Sequence, residues 1–471
     1  LILWRISMAK VTSYGATEEV TGSCHILEVE GINIMIDCGM FQGEEEELNQ
    51  GPFSFDASEI DYLLLTHAHL DHVGRVPKLI KEGFEGKIFS TVATKELASI
   101  ILTDSAKIMN EDFATKYKKA ARKAIEKKVL PPLYGAEDVQ ATFNMQWINP
   151  EYEEYFEICE GVSAVFRNAG HILGAAFIEI SYMDENDSRT VVFSGDIGNN
   201  NGLVLQNLQK CKRADTLFVE TTYGDRNHKP LDETIAEFKE VVVNTLNAKG
   251  NVLIPSFAVE RTQELLYVLR EMYEDNELPK CTIFLDSPMA TKTTKLYSKY
   301  FEQLSEGCQE NLRENGDIFD FEPLVYTETP EDSKAINEIY GGTIIIAGSG
   351  MCNGGRIARH FKHRIWDPKN SVVFVGFQAA GTLGREIVDG AEWIKIYNED
   401  IIVKASIHTI NGFSAHADQK SILKWISKIK NLQKVFLIHG EKESQINFKS
   451  ALKEQLNIDA DIVQFKKSVE F

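Results

Sequence analysis

Thr66-His67-Ala68-His69-Leu70-Asp71-His72 sets three imidazoles and a carboxylate within six residues, directly after the apolar stretch 62–65. A strand that ends in a tight turn projects His67 and His69 to one side, while Asp71 and His72 face a neighbouring point. The array can therefore serve two metal ions. A solitary buried histidine reads as a satisfied core residue; four donors at this spacing read as a metal site. Imidazole and carboxylate without thiolate suit zinc, and manganese and iron accept related sets.

The H-x-H-x-D-H spacing resembles that of the metallo-β-lactamase superfold, and the rest of the chain carries, in order, what that resemblance requires. His171 lies in the Gly-flanked turn Asn168-Ala169-Gly170-His171-Ile172-Leu173-Gly174. Asp196 ends the β-branched run Thr190-Val191-Val192-Phe193-Ser194-Gly195-Asp196, and His439 ends Val435-Phe436-Leu437-Ile438. The resemblance implies His67, His69, Asp71, His72, His171, Asp196 and His439 as ligands of two divalent ions, with Asp196 as the bridge. Zn2+ is the first expectation and Mn2+ the alternative. Asp37, at the end of Ile32-Asn33-Ile34-Met35-Ile36, matches a further acidic position that hydrogen-bonds the ligand loop from behind; a turn-forming Asp before Gly39 is the other reading.

Three more segments narrow the resemblance. Glu220 closes Leu217-Phe218-Val219-Glu220-Thr221-Thr222, His416 sits in Asn411-Gly412-Phe413-Ser414-Ala415-His416, and His439 follows. Together they are similar to motifs A, B and C of the β-CASP nucleases, a branch that holds enzymes of the RNase J and cleavage-and-polyadenylation endonuclease kind. A histidine at the position of His439 belongs to its RNA-acting side, an inference by analogy. The resemblance implies attack on an RNA phosphodiester by a hydroxide held between two metals, with products bearing a 5′-phosphate and a 3′-hydroxyl. His416 would be the general acid and Glu220 its partner, with Asp71 also in the catalytic group. The turns at 255–265, 348–356 and 376–385 also resemble β-CASP signatures, and small residues there let backbone N–H groups approach a phosphate. Ser256, Arg261, Ser349, Gly350, Arg356 and Ser414 are the expected RNA phosphate contacts.

The pattern predicts an α/β protein: a metallo-β-lactamase αβ/βα sandwich with an inserted parallel-sheet β-CASP domain. Residues 1–224 form the first part of the sandwich, 225–409 the insertion capping the metal site, and 410–471 the return to the sandwich. In the first part, helices are expected at 95–109 and 114–128. In the insertion, apolar strands at 252–254, 282–285, 343–346 and 372–375 alternate with helices at 231–246 and 261–273, which implies a parallel sheet. No RNA-binding module of the KH type is expected ahead of the sandwich, and no long extension after it.

The 471 residues exceed one ordinary core. No apolar run reaches the length of a membrane span, and Met8 reads as a start with no secretory signal before it. The seven cysteines show no C-x-x-C pair, which points to reduced thiols and a cytoplasmic protein. A formal charge of −20 opposes nucleic-acid binding overall. Local cations answer that objection: the run 356–364 is expected to carry positive charge toward a cleft, whereas the run 116–128 reads as helix surface. The expected activity is that of a metal-dependent ribonuclease acting on single-stranded RNA in processing or decay, with no membrane association; a homodimer is one open oligomeric state. The rival readings are a binuclear-metal hydrolase of a small ester or phosphodiester, and an RNA-binding relative without catalysis. The insertion argues against the first and the filled motif positions against the second, while endo- versus exonuclease action stays open.

Overall fold

The computed structural model describes residues 9–123, 125, 128–184, 187–199, 202–376, 378 and 381–471. Met8, and Lys127, Phe377, Ala379 and Ala380 of the segments above, lie outside the described residues. Two compact units form: residues to 199, 207–227 and 416–471 make the first, and 202–206 with 228–415 the second.

The first unit is built on two seven-stranded sheets. One runs in the order Ser468–Glu470, Lys10–Ser13, His25–Val29, Ile32–Ile36, Tyr62–Leu64, Lys87–Phe89, Trp147–Ile148. The other runs Ala460–Ile462, Lys434–Ile438, Thr216–Glu220, Asp187–Phe193, Ala176–Asp184, Val162–Asn168, Tyr155–Cys159. Alternating apolar residues of both sheets meet in one core, with Leu27, Ile34, Leu64 and Phe89 from the first and Phe166, Ile178, Val191 and Ile438 from the second. Phe193, Phe218 and Phe436 stack across three neighbouring strands at 4.8 and 4.9 Å. The sharp reversal at Glu30-Gly31, both with positive φ (49° and 78°), sets the register of Ile32–Ile36 against His25–Val29.

Parallel pairing is what positions the site. Ile32–Ile36 lies parallel to Tyr62–Leu64, and Asp187–Phe193, Thr216–Glu220 and Lys434–Ile438 are parallel to one another. Parallel strands end at a common edge, so the segments leaving them emerge side by side.

The second unit holds a six-stranded sheet in the order Leu324–Tyr326, Thr282–Asp286, Thr343–Ala347, Asn251–Pro255, Ser371–Phe374, Ser406–Thr409. Every pairing in it is parallel. Its middle strands Thr343–Ala347 and Asn251–Pro255 are buried along their whole length because both faces are covered, among others by Gly355–Arg364, whose Ile357 and Phe361 are fully buried.

Two expectations change. The helices read at 95–109 and 114–128 are one helix, Val92–Ala121, opened by Thr91 whose Oγ1 accepts the N–H of Thr94 at 3.1 Å. No Gly or Pro stands between 109 and 114 to interrupt it. Segment 410–415, read as the start of the return, packs in the second unit: the N–H of Ile410 donates to Phe374, and the Phe413 ring meets Phe238 edge-on at 5.7 Å. No helix among the described residues is long and apolar enough to cross a membrane.

Candidate active site

Five strand ends of the first unit deliver the side chains. Asp37 follows Ile32–Ile36, the 66–72 turn follows Tyr62–Leu64, Asp196 follows Asp187–Phe193, Glu220 ends its own strand, and His439 follows Lys434–Ile438. Asp37 (φ 59°) and His439 (φ 49°) take the left-handed conformation, unfavourable for residues other than Gly. Backbone bonds hold both, from Asp37 N–H to Leu64 at 3.0 Å and from His439 N–H to Ala16 at 2.8 Å. Close approach demands glycine at 39, where a Cβ would lie 1.5 Å from the carbonyl oxygen of Asp71.

The imidazoles gather in two groups about Asp196. Its Oδ2 lies 3.4 Å from Nε2 of His67 and 3.5 Å from Nε2 of His171. Nδ1 of His69 stands 3.1 Å from both of those ring nitrogens. On the other side, Asp196 Oδ1 lies 3.3 Å from Nε2 of His72 and 3.4 Å from Nδ1 of His439. Nε2 of His439 is 3.2 Å from Nε2 of His72 and 3.6 Å from Oδ2 of Asp71. His67, His69, His171 and Asp196 thus form one cradle, and Asp71, His72 and His439 a second, with donor atoms in each within 4.8 Å of one another.

Protonation states follow from the partners. Asp37 Oδ2 lies 2.7 Å from Nδ1 of His72 and accepts from Thr66 Oγ1 at 2.8 Å, while its Oδ1 accepts the N–H of Thr66. A carboxylate only accepts, so Nδ1 of His72 carries a proton and its Nε2 faces the cradle. The Thr66 hydroxyl, having donated to Asp37, accepts from Nδ1 of His67 at 3.1 Å and turns that ring the same way.

Burial, then the nearby His72, pushes His67 down to about 3. Burial likewise takes His69 to about 4 despite Asp71 and Asp196, and lowers His171 well below the ordinary range. Burial would lower His72 too, but Asp196 and Asp37 outweigh it and raise it well above. Burial opposes ionisation of Asp196, yet His439 and His72 hold its carboxyl well below the usual carboxylate range.

This donor set fits divalent cations. Asp196 Oδ1 is buried and accepts no hydrogen bond despite its two imidazole neighbours, and the ring nitrogens of His67, His69 and His171, held neutral by burial, converge on one cradle. Unpaired buried oxygens and converging lone pairs are costly without a cation between them. The arrangement is that of a binuclear metal site.

His416 stands beside the cradles. Its Nδ1 is 3.0 Å from Oε2 and 3.3 Å from Oε1 of the fully buried Glu220, and 3.9 Å from Asp196 Oδ2. Oε1 also accepts the N–H of Ile197 at 2.6 Å. Burial would lower His416, but Glu220 and Asp196 push it up to about 9.

The expected phosphate contacts lie in the second unit. Ser256 is buried and bonded to Phe257 and Thr262. Arg261 is buried against Glu264. The preceding Glu260 turns inward to Tyr297, its carboxyl raised well above the usual range by burial and then by Glu264. The guanidinium of Arg356 binds Asp286, Thr327 and Glu328. Ser414 and Gly350 are buried, and Ser349 is half-buried. In the run 356–364, His360 and Arg364 point into the unit, to Asp286 and to Ile336 and Asn337, leaving Arg359 and His363 exposed. Ser256, Arg261, Arg356, His360 and Arg364 each meet an acceptor within their own unit, which a linear charge pattern does not disclose.

Sequence reasoning missed Thr66 and Thr222. Thr222 Oγ1 lies 3.1 Å from Nδ1 of His439. Adjacency to motif residues was the available signal for both.

Known proteins point the same way. Residues 17–92 match the metallo-β-lactamase superfamily, 262–387 the β-CASP domain, and 400–463 the Zn-dependent metallo-hydrolase RNA specificity domain. The chain is 42% identical over 435 residues to ribonuclease TTHA0252 of Thermus thermophilus, a span of 92% of this chain and 94% of the relative. It is 31% identical to the transcription termination factor FttA of Methanosarcina mazei, over 96% of this chain and 70% of that one. A solved protein of unknown function from Enterococcus faecalis shares the fold at a TM-score of 0.56 and 11% identity, covering 99% of this chain and 100% of its own.

Proposed function

The chain belongs to the metallo-β-lactamase superfamily, in its β-CASP branch, and from that membership we propose that it is a metal-dependent ribonuclease that hydrolyses phosphodiester bonds of single-stranded RNA in processing or decay. The observation that carries this reading is Asp196, whose two carboxylate oxygens each face a separate imidazole group, with His416 beside them. His67, His69, His171 and Asp196 would hold one ion; Asp71, His72, His439 and the other oxygen of Asp196 would hold the second. Imidazole and carboxylate donors favour Zn2+, with Mn2+ next. Two such ions, when bound, acidify water and neutralise charge growing on the phosphoryl oxygens.

The chain's own groups do the rest. Glu220 accepts the hydrogen bond from Nδ1–H of His416, which leaves Nε2–H to carry the proton given to the leaving oxygen. Asp37 and Thr66 fix the tautomers of His72 and His67. Every cradle residue comes from one chain, so the reading holds for a monomer and for a homodimer. Seven unpaired cysteines support a cytoplasmic location.

The test is cleavage of matched 5′-labelled and 3′-labelled RNAs beside DNA of the same sequence. RNA should be cut in strong preference, at a rate that falls as salt rises. Equal rates on both polymers would overturn the RNA assignment and leave the nuclease; cleavage of neither would overturn both.

A further inference from the structure

The helix Val92–Ala121 begins at the metal site and continues far beyond it. Near its start, Thr94 Oγ1 donates to the carbonyl of Gly174, in the turn that carries His171. Lys116 lies about 33 Å further along, at ~1.5 Å per residue. From Lys107 to Lys123 only Ala120 is buried.

Five cations, Lys116, Lys118, Lys119, Arg122 and Lys123, crowd into eight residues here, and no acid occurs from Phe113 to Ile125. At ~100° per residue Lys118 and Arg122 lie on the arc facing away from Ala120, while Lys116, Lys119 and Lys123 run along one side of it. All are exposed, and no salt bridge involves them among the described residues. Lys118 with Arg122, and Lys119 with Lys123, are like charges four residues apart, a spacing that destabilises a helix. The helix C-terminus offsets part of that repulsion, and in a chain of net charge −20 no acid among the described residues forms a salt bridge with them. Tyr117, 44% exposed, flanks the cations, with Phe113 at 5.7 Å between ring centroids. Unpaired cations beside an exposed aromatic ring suit a single-stranded polyanion, whose phosphates meet the charges and whose bases stack on the ring.

We infer that this distal stretch of the helix is an accessory RNA-binding surface that engages the substrate remote from the cleaved bond. The choice of RNA as the polyanion rests on the ribonuclease reading of the site. A strand must span about 33 Å to reach from the His171 turn to Lys116, so a single strand touches both only when it is long enough to cover that distance. The surface therefore acts on long substrates and not on very short ones.

The experiment compares wild type with K116E/K119E, Y117A and the control K424E/K428E. The control changes net charge equally at exposed lysines of the first unit. Binding is measured by fluorescence anisotropy over a salt series, with RNAs of roughly thirty and roughly four nucleotides. K116E/K119E should weaken binding of the long RNA about tenfold or more and reduce its log–log salt slope by about 1.4, at ~0.7 per phosphate contact on a single strand. Y117A should weaken binding with the slope unchanged. Cleavage of the short RNA should stay at the wild-type rate, and K424E/K428E should bind nearly as wild type.

Equal loss in the control pair would show a net-charge effect and overturn the surface, as would an unchanged slope in K116E/K119E. So would loss of binding to phosphatidylserine vesicles with RNA affinity intact. If wild type binds long RNA through these lysines but cleaves none, the reading of the site fails and the surface stands. If it cleaves short RNA and K116E/K119E binds long RNA as wild type does, the surface fails and the site stands.

Discussion

Nδ1 of His416 lies 3.0 Å from Oε2 of Glu220, across 196 residues of sequence. This pair adjoins Asp196 closely enough that Asp196, Glu220 and His416 could themselves be taken for a metal group. Metal content separates the two roles. His416→Ala should retain its metal and its affinity for RNA while losing ~10²- to 10⁴-fold in single-turnover cleavage. Glu220→Gln should lose less, because it orients the imidazole and supports its charge. Loss of metal in His416→Ala, or cleavage at the wild-type rate, would refute the general-acid role.

Asp196 serves both cradles through different oxygens, whereas His439 belongs to one. We therefore expect about two divalent ions per chain in wild type, weaker retention of both in Asp196→Asn, and loss of one in His439→Ala. Elemental analysis after dialysis checks this. Wild type that holds no zinc or manganese after either is added back would sink the binuclear assignment.

The Thr222 hydroxyl is 3.1 Å from Nδ1 of His439. Thr222→Val keeps the shape and removes the hydroxyl. It should lower the affinity of one ion by roughly 10- to 100-fold, the usual effect of losing a partner behind a ligand, and added metal should restore cleavage. Failure of excess metal to rescue would show that Thr222 acts elsewhere.

In the second unit, buried Asp286 accepts from His360 and Arg356 at 2.7 Å, Thr327 at 2.6 Å and Ser333 at 2.7 Å. Burial raises its carboxyl, but His360 and the two hydroxyls outweigh that and hold it at about 2. The unfolded chain thus takes up this proton first as pH falls. The stabilisation, about 2 kcal/mol at ~1.4 per pH unit, is fully present above about pH 5 and is lost as pH drops from about 4 to 2. Urea unfolding should show Asp286→Asn less stable than wild type at neutral pH, with the gap closing toward pH 3. A gap of constant size would assign the loss to packing and not to the carboxylate.

What the sequence determined by itself was what short-range pattern encodes. H-x-H-x-D-H is local, so its chemistry is legible before any fold is known. His171, Asp196 and His439 are marked by strand-then-turn signatures that lie in an order, and the parallel sheet of the second unit is marked by apolar strands buried on both faces. Tertiary structure decided which donors meet. Parallel register brings Asp196, Glu220 and His439 to one sheet edge, and only that register sets Thr222 against His439 and Thr66 between Asp37 and His67. It also turned Ser256, Arg261 and Arg356 inward while leaving the cations at 116–123 in solvent. A charged head buries only where a partner satisfies it, Glu264 three residues on for Arg261 and Asp286 far along the chain for Arg356; residue order carries the charge, and the fold supplies the partner.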